Sequence, residues 1–333
     1  MLRLGVAGCG RMASGLLDHC IKMERARPVA IFDPDAETLA AKCAQYGAEP
    51  VQDIEALARW DVDCYLVGSP PLAHHANVLA LAPTGRPIYS EKPLTTTAKL
   101  CDEMIEACRK SGSKLFVGQV LRLFSLFWKS REIVESGVIG APQAISIVRS
   151  GRGDVFSYGW RTRFQDTGGL LLEVNSHELD YMLSLMGPAK WALAQGANLN
   201  RWGDYEDSLF VQIGFERGGM GQLHSSNSSP IGEYQVSLQC ERGNMVHGGF
   251  RGELRWQAFD SEAPTVLTAE DFKDRKDPYQ IELESFFDWV EKDAAPLFTG
   301  ETGRANVAVA DAAYKSLRTR KPEPVMNAPA SGS

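Results

Sequence analysis

Two side chains in this sequence are of the right type to move a proton on and off an alcohol. One is Lys92, in the run Glu91-Lys92-Pro93. The other is His177, in the run Gly168-Gly169-Leu170-Leu171-Leu172-Glu173-Val174-Asn175-Ser176-His177-Glu178-Leu179-Asp180. A lysine can donate to a substrate oxygen, and an imidazole exchanges a proton near neutral pH. On a continuous helix Glu173, His177 and, in part, Asp180 share one face, because side chains three and four positions apart are neighbours. A carboxylate one turn away can orient the imidazole ring and raise its basicity. Taken singly, an exposed lysine after a strand and a structural histidine on a helix are the plainer readings. The balance shifts if the chain also holds a hydride acceptor.

The run Gly8-Cys9-Gly10-Arg11-Met12-Ala13 points to one. It is G-x-G-x-x-A between an apolar strand and a helical pattern. The first glycine permits a tight turn, the second lets a pyrophosphate approach the backbone, and Ala13 lets helix and strand pack closely. Free N–H groups at the helix start then face the phosphates, with Arg11 and Met12 beside them. A tight structural turn is the simpler alternative for this pattern alone. Asp33 ends the second strand, where a ribose-binding acid is expected; its other reading is a turn residue capping the next helix. A carboxylate accepts from both ribose hydroxyls of NAD and repels the 2′-phosphate of NADP. Pro34 and Asp35 follow it, not an arginine, so NAD is favoured over NADP.

The elements that must position these residues follow from the hydrophobic rhythm. Strands are expected over 2–7, 28–32, 49–51, 62–68, 87–90 and 114–119. Helices over 11–24, 35–46, 54–58, 72–81 and 96–110 lie between them. This alternation predicts βαβ units on a parallel sheet, a Rossmann domain over 1–120. Lys92 then follows a strand directly, at the edge where such sheets bind ligands. After a helix at 126–136 the rhythm changes to strand runs at 144–150, 191–197, 208–215, 222–226, 234–240 and 253–259. Many of these alternate apolar with polar, as antiparallel strands with one wet face do. Helices at 278–292 and 301–320 close the pattern. Residues 121–326 are therefore expected to form an α+β domain with a large, mostly antiparallel open sheet, and 327–333 a disordered tail.

Bulk composition agrees with an enzyme of two domains. The chain has 333 residues, 44% hydrophobic, with 35 basic and 42 acidic residues and a net charge of −7. That balance argues against nucleic acid or an anionic membrane as the main partner. No apolar run is long enough to span a bilayer, and no secretory signal is read, which makes the cytoplasm the expected location. The seven cysteines form no Cys-x-x-Cys pair and are read as reduced, buried thiols, with no metal site expected.

In order and spacing, Gly8-x-Gly10, Glu91-Lys92-Pro93 and Gly168-Gly169…Glu173-x-x-x-His177-x-x-Asp180 resemble the glucose–fructose oxidoreductase/inositol dehydrogenase (Gfo/Idh/MocA) family. The resemblance extends to Ser69-Pro70-Pro71-x-x-His74, Val117-Gly118…Arg122, Trp160-Arg161 and Tyr279…Phe286-x-x-Trp289-Val290. It implies NAD(P)-dependent oxidation or reduction of a secondary alcohol on a sugar, cyclitol or related polyol. It also implies a homodimer or homotetramer made through the second domain's sheet. Lys92 and His177 match the family's lysine and histidine. Ser69, Pro70, His74, Glu91 and Gln119 would lie around the cofactor, Trp160 and Arg161 near its nicotinamide end, and Asp180 would support substrate binding. Two departures stand out: Glu173 where the family commonly has Asp, and Asn175 where it commonly has Gly.

Other residues admit two readings. Arg149, Arg152, Arg161 and Arg163 could bind an acidic or phosphorylated substrate, or could be a solvated strand edge and loop. The aromatic run 121–128 reads as core. His74 reads as structural or cofactor-adjacent. Two further functions stay open: an enzyme whose tightly held NAD is recycled during a net elimination or hydrolysis, and a non-catalytic NAD-sensing protein.

Overall fold

The computed structural model describes residues 1–327. Their elements, in chain order, begin with β1 (Leu2–Ala7), α1 (Arg11–Lys22), β2 (Ala26–Phe32), α2 (Ala36–Tyr46), β3 (Glu49–Pro50), α3 (Ile54–Ala58), β4 (Cys64–Val67), α4 (Pro71–Leu81), β5 (Ile88–Ser90), α5 (Ala98–Ser111) and β6 (Leu115–Val117). Then come α6 (Ser125–Glu135), β7 (Pro142–Arg152), α7 (Phe164–Thr167), α8 (Leu170–Glu173), α9 (Ser176–Met186), β8 (Ala189–Ala197), β9 (Ser208–Phe215) and β10 (Met220–Ser226). The chain continues through β11 (Ser228–Cys240), β12 (Gly243–His247), β13 (Leu254–Ala258), β14 (Thr265–Leu267), α10 (Pro278–Lys292), α11 (Gly300–Thr319) and β15 (Glu323–Pro324). No helix among the described residues is long and apolar enough to cross a membrane.

The chain divides into two compact units that are interleaved in sequence, not two contiguous blocks. The first comprises Met1–Gln119, Gln165–Gly168 and Asp277–Val307; the second comprises Val120–Phe164, Gly169–Lys276 and the residues from Ala308 on. Helix α10, expected in the second domain, therefore belongs to the first unit.

The first unit carries a six-stranded parallel sheet in the order β3-β2-β1-β4-β5-β6, the doubly wound order of dinucleotide-binding folds. Its inner strands β4 and β5 are apolar and buried, as expected where helices cover both faces: all four residues of β4 and all three of β5 are buried. The helices start and stop where the sequence provides caps. Asp35 and Thr97 accept from the backbone of α2 and α5, and Gly47 and Gly112 end these helices with φ of 65° and 76°. Tyr89, Phe116, Phe286 and Phe298 stack edge and face with centroids 5.4–5.9 Å apart. The buried Tyr89 hydroxyl donates to Glu282 Oε2 on α10 at 2.7 Å, which gives the hydroxyl a partner away from water.

The second unit is built on a nine-stranded sheet in the order β14-β13-β12-β11-β7-β10-β9-β8-β15. Every pairing is antiparallel except β7 with β10, where Ala144 lies beside Met220 and Ser150 beside Ser226. The expected open, mostly antiparallel sheet is thus present, with β12 and β14 as strands that the hydrophobic pattern did not mark. Strands β9 and β10 alternate buried with exposed residues, so one face is covered and the other open. On the covered side, glycines admit helix side chains: a Cβ at Gly221 would lie 2.5 Å from Cε of Met182 on α9.

None of the seven cysteines is in a disulfide and all are buried; burial pushes the Cys20 thiol up to about 12. Residues 328–333 of the expected tail lie outside the described residues. Asn327 is tied down, its Nδ2 donating to Ala189 O at 2.9 Å and to Glu216 Oε1 at 2.7 Å.

Candidate active site

In the first unit, five candidate positions follow the carboxyl ends of five parallel strands. Gly8 follows β1, Asp33 follows β2, Ser69 comes two residues after β4, Lys92 two after β5 and Gln119 two after β6. Parallel strands share a direction, so all five belong to one edge of the sheet, the edge that binds ligands in open α/β folds.

The glycine turn is built to leave a helix end open. Gly8 sits at φ 82°, and a Cβ there would lie 2.6 Å from the backbone nitrogen of Ser69. Gly10 is different: a Cβ there meets nothing within 4 Å, so open space lies over this residue. Helix α1 has no side-chain cap and no acid in its first turn, and Arg11 and Met12 are exposed. Unfilled N–H groups at a helix start suit a phosphate. Ala13 packs with a partner that the motif does not show: a Cβ on Gly68 would fall 2.6 Å from the Ala13 methyl carbon.

Asp33 braces this turn. Its Oδ2 accepts from Cys9 N at 2.9 Å and its Oδ1 from Asp35 N at 3.0 Å. The cap of α2 is Asp35, which accepts from Thr38 N at 2.7 Å, so Asp33 is not a helix cap. Each Asp33 oxygen has lone-pair capacity beyond these bonds, enough to accept a ribose hydroxyl.

His74 is buried and acts as a strap. Its Nε2 lies 2.6 Å from Ser69 O and its Nδ1 3.0 Å from Pro93 O, joining the turn after β4 to the turn after β5. Burial holds it down to about 4, against the two carbonyls that favour the cation. A ring enclosed in this way is structural, not a general base. Ser69 Oγ accepts from Asn77 Nδ2 at 2.9 Å, while Pro70 precedes α4, where Pro71 occupies the first helical position.

Glu91 is buried and accepts the Lys92 N–H at 3.1 Å; burial pushes its carboxyl up to about 7, against the pull of Lys92. Lys92 is half-buried, and the peptide joining it to Pro93 is cis. Gln119 is fully buried with neither amide atom bonded. A buried amide of this kind calls for a polar partner. The turn, the uncapped helix, Asp33 and Gln119 together fit a dinucleotide.

The second unit corrects the expected arrangement of Glu173, His177 and Asp180. They do not lie on one continuous helix. Helix α8 ends at Glu173 and α9 begins at Ser176, because Asn175 N donates to Leu170 O, five residues back, at 3.3 Å. Spacing alone therefore does not place Glu173 against His177. Glu173 is paired with Arg161, Nε to Oε1 at 3.0 Å, and the Arg161 guanidinium lies 4.2 Å from the Trp160 ring centre. Tyr205 OH donates to Arg161 O at 2.6 Å, which fixes the backbone behind it.

Asp180, expected to support substrate binding, is held by a protein partner in this structure. Its side chain is 1% exposed and is gripped by Arg122, with Nε to Oδ2 at 2.6 Å and a second contact from Nη2 to Oδ1. Burial raises its carboxyl despite that partner. His177 is half-buried in the first turn of α9.

Three of the four arginines are paired with carboxylates. Arg149 pairs with Glu178 at 2.8 Å, Arg161 with Glu173 and Arg152 with Asp154 at 2.7 Å; the Arg163 side chain lies at the surface. Glu178 and Tyr234 escape a reading of spacing. Tyr234 lies opposite Arg149 across the β7–β11 ladder, a neighbour that only the sheet register reveals.

Comparison with known proteins agrees with this architecture. Residues 2–119 match the model of an oxidoreductase family with an NAD-binding Rossmann fold, and residues 131–326 match that family's C-terminal alpha/beta domain. Myo-inositol 2-dehydrogenase of Thermotoga maritima is 26% identical over 96% of this chain and 97% of its own length. 2,7-anhydro-N-acetylneuraminate hydratase of Mediterraneibacter gnavus is 25% identical over 93% of each chain. The WlbA dehydrogenase of Bordetella pertussis, solved in complex with NADH and UDP-GlcNAcA, matches with a TM-score of 0.88 over 97% of each chain; at 23% identity that likeness shows the fold. With both of its halves matched, the chain belongs to the Gfo/Idh/MocA oxidoreductase family.

Proposed function

We propose that this protein is an NAD-dependent dehydrogenase or reductase acting on a secondary alcohol of a sugar, cyclitol or related polyol. The observation that carries the reading is the shared sheet edge, where an open, uncapped helix start at Gly10 and the lysine of Glu91-Lys92-Pro93 follow strands of one parallel sheet. Asp33, with no arginine after it, favours NAD over NADP. The inositol dehydrogenase among the relatives supports the substrate class.

In this reading Gly8, Gly10 and the N–H groups of α1 hold the pyrophosphate, and Asp33 takes the adenosine ribose. Ser69, Pro70, Glu91 and Gln119 surround the cofactor, His74 keeps the turns after β4 and β5 together, and Trp160 and Arg161 act near the nicotinamide. When bound, the nicotinamide supplies the hydride acceptor or donor. Lys92 donates a hydrogen bond to the reacting oxygen and polarises the C–O bond. His177 accepts the hydroxyl proton in oxidation and returns it in reduction. Glu173, held by Arg161, sets one wall of the substrate site, and Arg163 stands at its rim. The exposed face of the second unit's sheet, where Phe210 and Met220 are open to solvent, is the surface given to a homodimer or homotetramer contact.

The hydratase among the relatives supports a second reading, in which bound NAD is reduced and reoxidised within one turnover. One experiment separates the two: a panel of sugars, cyclitols and keto-sugars with NAD or NADH, followed by the absorbance of reduced nicotinamide. Stoichiometric NADH with a polyol supports the dehydrogenase. Copurifying NAD, product formation and no net NADH support the second reading.

A further inference from the structure

Behind His177 lies a buried polar cluster for which the hydride-transfer scheme has no use. Glu178 has a fully buried side chain and receives three donors. Arg149 Nη1 reaches Oε1 at 2.8 Å, Asn175 Nδ2 reaches Oε2 at 2.9 Å, and the Tyr234 hydroxyl donates to Oε1 in a short contact. The same Arg149 Nη1 donates to Val174 O at 3.1 Å. The guanidinium lies 5.7 Å from the Tyr234 ring centre, and the Phe250 ring stacks on Tyr234 with centroids 5.2 Å apart. Gly249 is required beside it: a Cβ there would fall 1.6 Å from Tyr234 Cδ1. Burial and the neighbouring carboxylate keep the Tyr234 hydroxyl protonated, hence a donor.

The cluster grips the break between α8 and α9. Val174 O and the Asn175 side chain belong to the two residues that separate the helices, and Glu178 lies in the first turn of α9. His177 sits between these anchored groups. Asn175 stands where the family commonly has glycine, which could offer Glu178 no donor. Charges buried in this way contribute little net stability, since desolvation offsets most of their attraction; their best-attested use is to impose one arrangement.

We propose that Arg149, Asn175, Glu178 and Tyr234 form a positioning network that fixes the direction in which α9 presents His177. The proposal rests on the reading of His177 as the proton-transfer group. None of the four touches the reacting atoms; they act through His177.

The test uses the full chain and two conservative variants, Tyr234→Phe and Glu178→Gln. The first reading needs no substrate. The imidazole signal of His177, assigned by its loss in His177→Ala, is followed by NMR across pH in wild type and both variants. The second reading is turnover with the polyol that gives most NADH in the panel. The network predicts a displaced His177 signal with a shifted titration midpoint in both variants. It also predicts a kcat loss of about 10-fold or more, with KM moving by less than about threefold, as a misaimed group gives. In the His177→Ala background, Tyr234→Phe should cost nothing further in turnover. Tyr234→Phe removes one oxygen and keeps the ring, so it remains informative if Glu178→Gln does not fold. An unmoved His177 signal in a folded variant, or a moved signal with unchanged turnover, overturns the network. Near-normal turnover in His177→Ala overturns the proton-transfer reading itself, an outcome the NMR arm leaves distinct.

Discussion

Two glycine-led turns introduce helices in this chain, and they leave the helix starts in opposite states. After Gly8 and Gly10, α1 begins without a cap, with open space over Gly10. After Gly168 and Gly169, at φ of 72° and 78°, the space is filled by protein: a Cβ on Gly169 would lie 2.2 Å from the Tyr314 hydroxyl, which takes a bond from Leu171 N at 3.1 Å. The same residue type thus serves two ends. In the first unit glycine keeps room for a ligand; in the second it lets buried side chains close on the backbone that carries His177. An unsatisfied helix end is tolerated where a ligand can complete it, and is filled in where geometry must be held.

The contrast predicts different failures for similar substitutions. Gly169→Ala should lower stability most, by about 3 kcal/mol, from left-handed strain together with overpacking against Tyr314. Thermal or denaturant unfolding measures this, and a variant as stable as wild type would break the comparison. Gly8→Ala should act on both stability and cofactor: its Cβ against Ser69 N at φ 82° costs stability as at Gly169, and by shifting the turn it should also lower NAD affinity by about 100-fold in calorimetric titration. Gly10→Ala sharpens the point. Its Cβ meets no protein atom, so stability should stay within about 0.5 kcal/mol while NAD affinity falls.

Asp33→Ala should cost about 10-fold in NAD affinity and narrow the preference over NADP, because a charge-assisted acceptor is removed. An unchanged preference would contradict the assignment.

The two units also bury one histidine each, and acid should report on both. His247 accepts the Gly249 N–H at 3.2 Å, and burial lowers it from 6.5 to about 3; His74 is lowered to about 4. A depressed histidine is neutral when folded, while the unfolded chain takes up a proton below its ordinary value. Stability from this source is therefore complete above pH 6.5 and lost as pH falls towards the folded value, by about 1.4 kcal/mol per pH unit inside the window. Glu91, raised to about 7, slopes the other way, so the effect must be read as a difference. The stability gap between wild type and His247→Gln should shrink between pH 6.5 and 4, and a constant gap would refute it.

The first unit was far more legible in the sequence than the second. Its signals are local: a glycine turn at a strand end, an acid at the next strand end and a lysine after the fifth strand all lie within a few residues of the elements that place them. The second unit's site depends on events that spacing does not carry. Glu173 and His177 are four positions apart, which implies one helical face, but the long bond from Asn175 N to Leu170 O interrupts the helix between them. Arg149 meets Tyr234 because β7 and β11 pair in that register, a contact 85 positions apart in sequence (149 to 234). Asp180 read as a substrate ligand, and its burial under Arg122 is a tertiary fact. Gly68, which makes room for Ala13, lies outside the glycine motif altogether.

The most direct test of hydride transfer assisted by Lys92 and His177 is turnover of the best panel polyol, read as NADH formation in wild type, Lys92→Ala and His177→Ala. The account predicts NADH in wild type and a loss of about 10²–10⁴-fold in each variant, with NAD still bound. Near-normal NADH formation in both variants would contradict it.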